Sequence, residues 1–444
     1  MNMHRYKVIS RTLTGCWPRP CLFAAVFVSA IGCAPLGHAA ALPELIESAL
    51  AFHPSIRAQQ AGAASAGAAV ATARWQFFPT PSISIERVNA PSSNPTYALG
   101  DNRVTILRLH QTLWSGGRLT AGLQKAQAAV LSSEASVESA KQELALRVVQ
   151  YYADWYAAYY KTVAYEKSLS AHRRLREQTV RRIAEGASPA SDLTLVVGRT
   201  EQTQADLLVA QAQQETALAH LSQLQGRPVT QEAIAHVPSA ALDATAPLPD
   251  LLKLAQDASP NVARLMANAR IQEAEIAERQ ADLKPELVLR LERQYGNYTY
   301  PNAPPENRVF LGVSTRFGAG LSSLSAITGA RARYDAALAD VETARIALSE
   351  QVLADHALSE SGKVRLLALA QALQASESIW EAWNRQFLAG RKSWLDVMNA
   401  AREQAQVETQ IADVNSAQLL MTWRLSLLVH GVEAVVAKSR THSG

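Results

Sequence analysis

The sequence predicts a mainly α-helical chain with a small β part, built from two tandem repeats of a helix, a β-strand pair and a long coiled-coil helical hairpin. Three observations lead to this fold class. Short motifs recur at a nearly constant offset along the chain. Two very long stretches contain no proline, and short segments before them alternate apolar and charged side chains.

Residues 1–39 are predicted to be a secretory signal peptide, with a basic start, an apolar run from Cys21 to Ile31 and small residues around Gly37. The run is too short for a transmembrane helix, and no other uninterrupted stretch approaches the length of a span. Cleavage after Ala39 is expected. The alternative is lipidation at Cys33, although the usual large aliphatic residue three positions earlier is missing.

Composition excludes several classes of function. All three cysteines precede residue 34, so the chain cut after Ala39 needs neither disulfides nor thiol chemistry. The four Lys/Arg of the signal account for the net charge of +4 and leave 39 basic against 39 acidic residues, so no nucleic-acid partner is expected. The ten histidines are dispersed, and no phosphate-binding loop is present. We therefore expect no catalytic residue, no cofactor and no metal.

Motifs of the first half recur in order in the second half. Residues 43–46 recur as 249–252 at an offset of 206. The series continues through Pro54 and Pro260, Pro79 and Pro285, Gly186 and Gly390, Asp192 and Asp396, and Gly226 and Gly431. An ordered series of this kind predicts a duplication. The predicted repeats are residues 40–226 and 249–431, joined by a linker at 227–248 and followed by a tail at 432–444.

Each repeat is predicted to begin with a helix, over about 43–77 and 249–283, which ends before a proline. Strands are expected over about 80–89, 102–113, 285–294 and 307–317. In the third strand Leu287, Leu289 and Leu291 alternate with charged residues, so one face is apolar and the other polar. Such a sheet suits a lipid-facing barrel, but four strands cannot close one around a lumen. Several chains must then contribute; a small soluble β-subdomain is the alternative.

The helical hairpins are predicted over about 119–225 and 329–429. From Leu119 to Glu185 there is no proline, and apolar residues recur every seven positions, as at Leu123, Val130, Val137, Leu144 and Tyr151. Some 65 residues at 1.5 Å each make a rod of roughly 100 Å. The chain is expected to turn at 185–189 and 390–393, with Ser188 and Pro189 as the N-cap and first residue of the returning helix.

The second turn carries the most specific motif, from Phe387 to Ala400. It resembles the Tyr-x-x-Gly-x-x-Ser-x-x-Asp-Val-Leu-x-Ala signature of the TolC-like outer-membrane factors, and the likeness spans residues 42–431. The resemblance implies a homotrimer with a twelve-stranded β-barrel in outer-membrane lipid and a helical barrel across the periplasm. Its hairpin tips would dock a periplasmic membrane-fusion adaptor that connects to an inner-membrane pump.

The tip sequence and the Ala/Gln-rich returning helix look most like ducts of type I secretion, which work with an ABC exporter and carry adhesins or repeat toxins. The alternative is a multidrug efflux duct paired with a pump of the resistance-nodulation-division type. A periplasmic coiled-coil adaptor or spacer is a more distant alternative, because adaptors normally have one hairpin flanked by β-rich domains.

The resemblance also assigns gate residues at the tips. In the family an Asp six residues after the first tip glycine pairs with an Arg two residues after the second, and these positions hold Asp192 and Lys392 here. Lysine keeps the charge but lacks the planar fork of arginine. The family tyrosine is replaced by Phe387, which has no hydroxyl. Asp396 and Asn399 occupy the two acidic positions of the pore entrance, so a trimer would carry three charges there.

Each assignment has a simpler alternative. Ser393 and Asp396 fit a helix capping box, so Asp396 either caps the helix only or also faces the pore. The same choice applies to Asp192 in the first turn of its helix. The resemblance further implies that the tips, at Gly186, Ser188, Gly390 and Ser393, contact the adaptor.

Overall fold

The structure is a computed structural model that describes residues 41–89, 93, 100–234, 247–315, 319 and 322–442, with side chains described through 437. The predicted signal peptide, its cleavage site and Cys33 lie outside the described residues. So do most of the predicted linker and most of the loop between the first two strands.

The mainly α-helical fold with two repeats and a four-stranded sheet is confirmed. The first repeat contains α1 (Leu42–Phe52), α2 (Pro54–Trp75), β1 (Thr80–Arg87), β2 (Arg103–Trp114), α3 (Arg118–Ala184) and α4 (Ala190–Gln225). A short 3₁₀ helix, Gln231–Ala233, follows. The second repeat contains α5 (Leu248–Ala258), α6 (Pro260–Ala281), β3 (Glu286–Tyr295), β4 (Glu306–Ser314), α7 (Ser322–Leu388) and α8 (Trp394–His442).

The helix predicted before each strand pair is in fact two helices. His53 and Ser259 are extended (ψ 129° and 115°) and separate α1 from α2 and α5 from α6. Each is followed by a proline, whose ring disfavours a helical conformation of the preceding residue. The two prolines, Pro54 and Pro260, therefore start the second helix of each pair, and the predicted single helices were wrong.

The second hairpin is longer than predicted at both ends. Helix α7 begins at Ser322, where residue 329 was expected, and helical backbone continues past residue 429 to His442. The predicted tail is thus mostly helical, with one non-helical residue, Gly431 (φ 76°, ψ 166°), at the point of the expected helix end. Strand β4 ends at Ser314, and residues 316 and 317 of the predicted strand lie outside the described residues.

The four strands form one antiparallel sheet in the order β1-β2-β3-β4. The central ladder pairs β2 with β3, so it joins the two repeats. Its register places Arg108 opposite Glu292, and a bulge interrupts it between Thr112 and Trp114. Because strands pair in sequence order, the duplicated strand pairs lie side by side in one continuous sheet.

The two faces of this sheet differ as the alternation predicted. One face is apolar and exposed within the chain, as at Val309 (70% exposed) and Leu311 (67%). The other face carries a polar row across the four strands, formed by Ser82, Arg108, Glu292 and Arg308. The Arg108 Nε lies 2.6 Å from the Glu292 Oε1, so neighbouring strands neutralise part of their charge. An uncovered apolar face of this size needs a non-aqueous environment or a partner.

Helices α3 and α7 each have 67 residues and hence a length of roughly 100 Å. They pack with their returning helices through three apolar clusters. The largest joins α1, α3, α4 and α8, with Tyr152 and Trp155 fully buried. A second joins α5, α7 and α8, and the third lies near the hairpin turns. Of the five heptad positions only Leu144 is buried, because α3 meets different neighbours along its length.

A buried ion pair joins the two helices of the second hairpin. The Asp355 side chain on α7 is fully buried, and Arg424 on α8 binds it through two nitrogens, with the Nε at 2.6 Å from Oδ2. Gln351 also donates to Asp355, at 3.0 Å. Since a buried carboxylate is stabilised only by such partners, the pair fixes how α7 and α8 lie along one another.

Among the described residues, α8 is the one helix that is long and apolar enough to cross a membrane by length and composition. Within its most apolar window 44% of the residues are buried inside the chain. Trp423 and Leu427 of this helix are buried and belong to the largest apolar cluster. Packing between helices therefore accounts for much of its apolar character.

Candidate functional site at the hairpin tips

The two hairpin tips end their first helices with the same backbone motif. Gly186 and Gly390 both have φ 72°, the left-handed conformation that glycine adopts without strain. The amide of each glycine, and that of the residue after it, donates back into the last turn, as in a Schellman motif. The four bonds are Gly186 N to Ile183 O (3.0 Å), Ala187 N to Arg182 O (2.7 Å), Gly390 N to Phe387 O (2.9 Å) and Arg391 N to Gln386 O (2.9 Å).

The tips differ in how their second helices begin. At the second tip the Ser393 Oγ accepts from the amide of Asp396 at 3.2 Å and donates to its carboxylate at 2.8 Å, which makes the expected cap. At the first tip α4 begins at Ala190 with Pro189 in the N-cap position and no side-chain cap. The predicted Ser188 cap was wrong, because the helix starts one residue later than expected. The first tip therefore lacks a hydrogen bond that stabilises the second.

Lys392 is held within its own tip. Its Nζ lies 3.6 Å from the Asp396 Oδ2 and 4.3 Å from the centre of the Trp383 ring. An ammonium over an indole face is attracted by the negative centre of the ring. Lys392 thus connects the last turn of α7 to the first turn of α8.

Asp396 is half-exposed and ionised. The hydrogen bond from the Ser393 hydroxyl, and after it the nearby ammonium of Lys392, hold the pKa of Asp396 below its usual range. Its carboxylate therefore takes part in the cap, and part of the side chain remains exposed to solvent. Asn399, the other predicted entrance residue, is exposed one turn later on the same helix.

Asn399 also lines a cavity of about 150 Å³ between α3, α4 and α8. His172 lies in the wall of this cavity, with its Nδ1 at 3.0 Å from the Thr203 hydroxyl. Burial lowers the pKa of His172, and the neighbouring guanidinium of Arg199 acts in the same direction. The ring is therefore held neutral in the packed helices.

Asp192 lies in the first turn of α4 and is half-buried. Its side chain forms no hydrogen bond or ion pair within the part of the chain that the structure describes, and Lys392 contacts Asp396 and Trp383 instead. A single chain thus does not bring Asp192 and Lys392 together. Their latch remains a prediction that concerns the assembled protein.

Phe387 is buried (3% exposed) in the apolar cluster near the tips. This tip cluster comprises Leu175, Val196, Phe387, Trp394, Val397 and Met398. The guanidinium of Arg182, in the last turn of α3, lies 5.0 Å from the centre of the Phe387 ring. Its Nη1 donates to the Phe387 carbonyl at 3.2 Å. Sequence reasoning missed Arg182; a basic residue in the last turn of a helix was the available signal.

No group of three or more His, Cys, Asp or Glu side chains within the described ranges has the geometry of a metal site. The polar groups at the tips are caps, a cation–aromatic contact and an ion pair. Such groups can hold helices together and can release them, but they supply no nucleophile or acid–base pair for catalysis.

The cap difference between the tips can be tested by a matched pair of substitutions. Ser393→Ala removes a side-chain cap and is expected to destabilise the second tip by about 1 kcal/mol. Ser188→Ala removes no cap and should leave the first tip unchanged. Hydrogen exchange of the amides near Asp396 and Asp192 measures both effects. Equal exchange changes at the two tips would contradict the assignment of the caps.

Comparisons with known proteins agree with this architecture. A sequence profile described as outer membrane efflux protein matches residues 45–227 and 251–429, which correspond to the two repeats. Comparison with curated protein sequences found no significant match.

Solved structures of channels share the fold. CusC is 16% identical, with a TM-score of 0.77 over 87% of this chain and 91% of that one. VceC of Vibrio cholerae is 18% identical, with a TM-score of 0.75 over 88% and 96%. The open state of the MtrE channel of Neisseria gonorrhoeae is 18% identical, with a TM-score of 0.68 over 88% and 89%. The family is one of channel proteins and not of enzymes, and by the match across both repeats this chain belongs to the outer membrane efflux protein family.

Proposed function

We propose that three copies of this chain form a channel that spans the outer membrane and extends through the periplasm as the exit duct of a tripartite export machine. The observation that carries the proposal is the four-stranded sheet with one exposed apolar face and one charged face. Strands of 8 to 12 residues suit a tilted membrane span. Three such sheets would supply twelve strands, with the apolar faces toward lipid and the polar rows toward the lumen.

The helical rods support the same proposal. Two hairpins of roughly 100 Å per chain, each packed along its length, suit a barrel that continues the duct away from the membrane. The family assignment argues against the coiled-coil adaptor or spacer. The tips would dock the adaptor at Gly186, Ser188, Gly390 and Ser393. In support, a Cβ at either tip glycine would meet nothing within 4 Å, so the backbone is open to a partner.

The orientation of the sheet can be tested by adjacent substitutions on opposite faces. Leu311→Arg places a charge on the apolar face near the middle of β4, where arginine on a lipid-facing strand costs about 2–4 kcal/mol. Gly312→Arg adds the same side chain to the polar face, where a Cβ meets no neighbour. We expect L311R to be depleted from outer-membrane fractions and G312R to be retained. Equal recovery of both variants, or wild-type protein in the soluble periplasm, would exclude a lipid-facing barrel.

We propose that Asp192, Lys392, Asp396, Phe387 and Asn399 surround the periplasmic entrance and restrict it. The charged contacts of Lys392 tie the end of α7 to the start of α8, and Asp192 has a carboxylate available for a neighbouring chain. Within a trimer, Asp396 would contribute a ring of three charges that attracts cations.

Asp192→Ala and Lys392→Ala are each expected to raise single-channel conductance in planar bilayers, because each removes one partner of the proposed latch. Arg391→Ala is the matched control, since it removes an exposed charge next to Lys392. Wild-type conductance in both D192A and K392A would remove these residues from the gate. An equal rise in R391A would indicate a general effect of charge.

The proposed cargo is a large protein, an adhesin or repeat toxin, secreted with an ABC exporter and its adaptor. The support is the sequence of the second tip from Gly390 to Ala400 together with the Ala/Gln-rich returning helix. Multidrug efflux with a pump of the resistance-nodulation-division type is the second candidate. The support for this second candidate is the description of the family as efflux proteins.

The two candidates can be separated in a host that lacks its own outer-membrane duct. The chain is expressed either with an ABC exporter, its adaptor and a repeat protein, or with a resistance-nodulation-division pump and its adaptor. We expect the repeat protein to appear in the medium, and we expect no recovery of dye efflux with the other pump. Dye efflux without protein secretion would reverse the choice.

A further inference from the structure

We propose that Arg182 is a positioning residue of the gate, which fastens the second hairpin tip to the first through the Phe387 ring and carbonyl. The inference rests on the proposed duct and names a contact within each chain that keeps its tips together. Arg182 lies in the last turn of α3, and Phe387 lies in the last turn of α7. The two residues are thus in different repeats, and their contact links the hairpins directly.

The contact has two parts that act on the same residue. The Arg182 Nη1 donates to the Phe387 carbonyl at 3.2 Å, and the guanidinium carbon lies 5.0 Å from the ring centre. A guanidinium can donate in its plane and can cover an aromatic ring with its face. Lysine can provide neither the planar fork nor the stacking. The pair therefore depends on arginine at position 182 and on an aromatic ring at 387.

The acceptor carbonyl belongs to the turn itself. Phe387 O also accepts from the amide of Gly390 at 2.9 Å, in the Schellman motif that reverses the chain at the second tip. A carbonyl has two lone pairs, and those at a helix C-terminus carry the negative end of the helix dipole. Arg182 thus places its positive charge where α7 ends and anchors the turn at its base.

The surroundings of the contact both favour and oppose it. Phe387 is buried in the tip cluster, and the Nε of Arg182 is buried as well, without a hydrogen-bond partner among the described residues. No carboxylate of the described chain forms an ion pair with Arg182. Desolvation of an unpaired donor opposes the closed arrangement, while the carbonyl and the ring favour it. The unpaired Nε therefore reduces the net stabilisation that the contact gives.

Phenylalanine at position 387, where the family has a tyrosine, suits this contact. A tyrosine hydroxyl at this position would enter the tip cluster and would need a polar partner there. Phenylalanine needs none and leaves its ring face to the guanidinium. Lys392, meanwhile, is engaged by Asp396 and Trp383 within the second tip. The polar connection between the ends of α3 and α7 therefore runs through Arg182.

The experiment compares Arg182→Ala with Arg181→Ala in the full mature protein in planar bilayers. Arg181 is the adjacent residue and is exposed, and its side chain forms no hydrogen bond or ion pair with the residues that the structure describes. We expect R182A to raise the single-channel conductance by about twofold or more, as a wider entrance passes more ions, and R181A to match the wild type. Hydrogen exchange of residues 387–392 should be faster in R182A than in the wild type, and R181A should match the wild type.

Two further variants keep the test decisive. Arg182→Lys keeps the charge without the fork and should give an intermediate conductance. Phe387→Leu keeps an apolar side chain but removes the ring face. The single-channel conductance of this variant should also exceed that of the wild type. Wild-type conductance in R182A, or an equal rise in R181A, would overturn the proposal. If R182A fails to insert, wild-type conductance in R182K and F387L would overturn it.

The failure of the clamp and the failure of the proposed duct give different results. Wild-type protein that forms no channels in bilayers contradicts the duct itself. Wild-type channels that R182A, R182K and F387L leave unchanged contradict only the clamp. Faster exchange at 387–392 without any change of conductance would assign Arg182 a purely structural role.

Discussion

The pairing of β2 with β3 sets the register on which the rest of the chain depends. This ladder joins strands of different repeats, and a slip of one residue would move every apolar side chain to the polar face. With Arg108 opposite Glu292, all four strands instead present matching faces. The same pairing brings the starts of α3 and α7 to one side of the sheet. Since both helices have 67 residues, both tips end at similar distances from the membrane part.

The level position of the tips makes the contacts between repeats possible. Arg182 reaches Phe387 across a sequence separation of 205 residues because two equally long helices leave the sheet together. The tips share their Schellman turns but not their caps, so they are not equivalent. The second tip has a capped helix and an engaged lysine, whereas the first tip has neither. The duplication thus preserved the architecture of the tips while their side chains diverged.

Local patterns predicted much of this architecture. Strand alternation and the absence of proline depend on residues within a few positions of each other, and the offsets of the glycines need only a comparison of the two halves. The expected strand faces and turns agree with the structure. The helix breaks at His53 and Ser259 were also readable, because each precedes a proline, but the apolar pattern on both sides concealed them. The prediction of the Ser188 cap failed by one residue, because sequence signals place the start of a helix only to within one or two residues.

The contacts of the candidate site were less predictable. Lys392 meets Asp396 within its own tip, whereas a contact with Asp192 depends on how the two hairpins lie against each other. For the Arg182–Phe387 contact, only the basic residue in the last turn of α3 was a local signal, because its partner lies 205 residues away in the other repeat. The role of Asp396 in the cap was visible because Ser393 is three residues away on the same helix. Side-chain contacts within one turn could be predicted from the sequence, whereas contacts between the hairpins required the structure.

The Asp355–Arg424 pair limits how a duct of this kind can change its length. Sliding α7 along α8 by one turn would leave a fully buried carboxylate without its guanidinium, so the two helices cannot drift independently. An insertion between Asp355 and the tip must be matched by a similar one between the tip and Arg424. The tip of the first hairpin must then move by the same amount to remain level with that of the second. Lineages that span periplasms of different width would have to acquire such insertions in sets of four, one in each long helix.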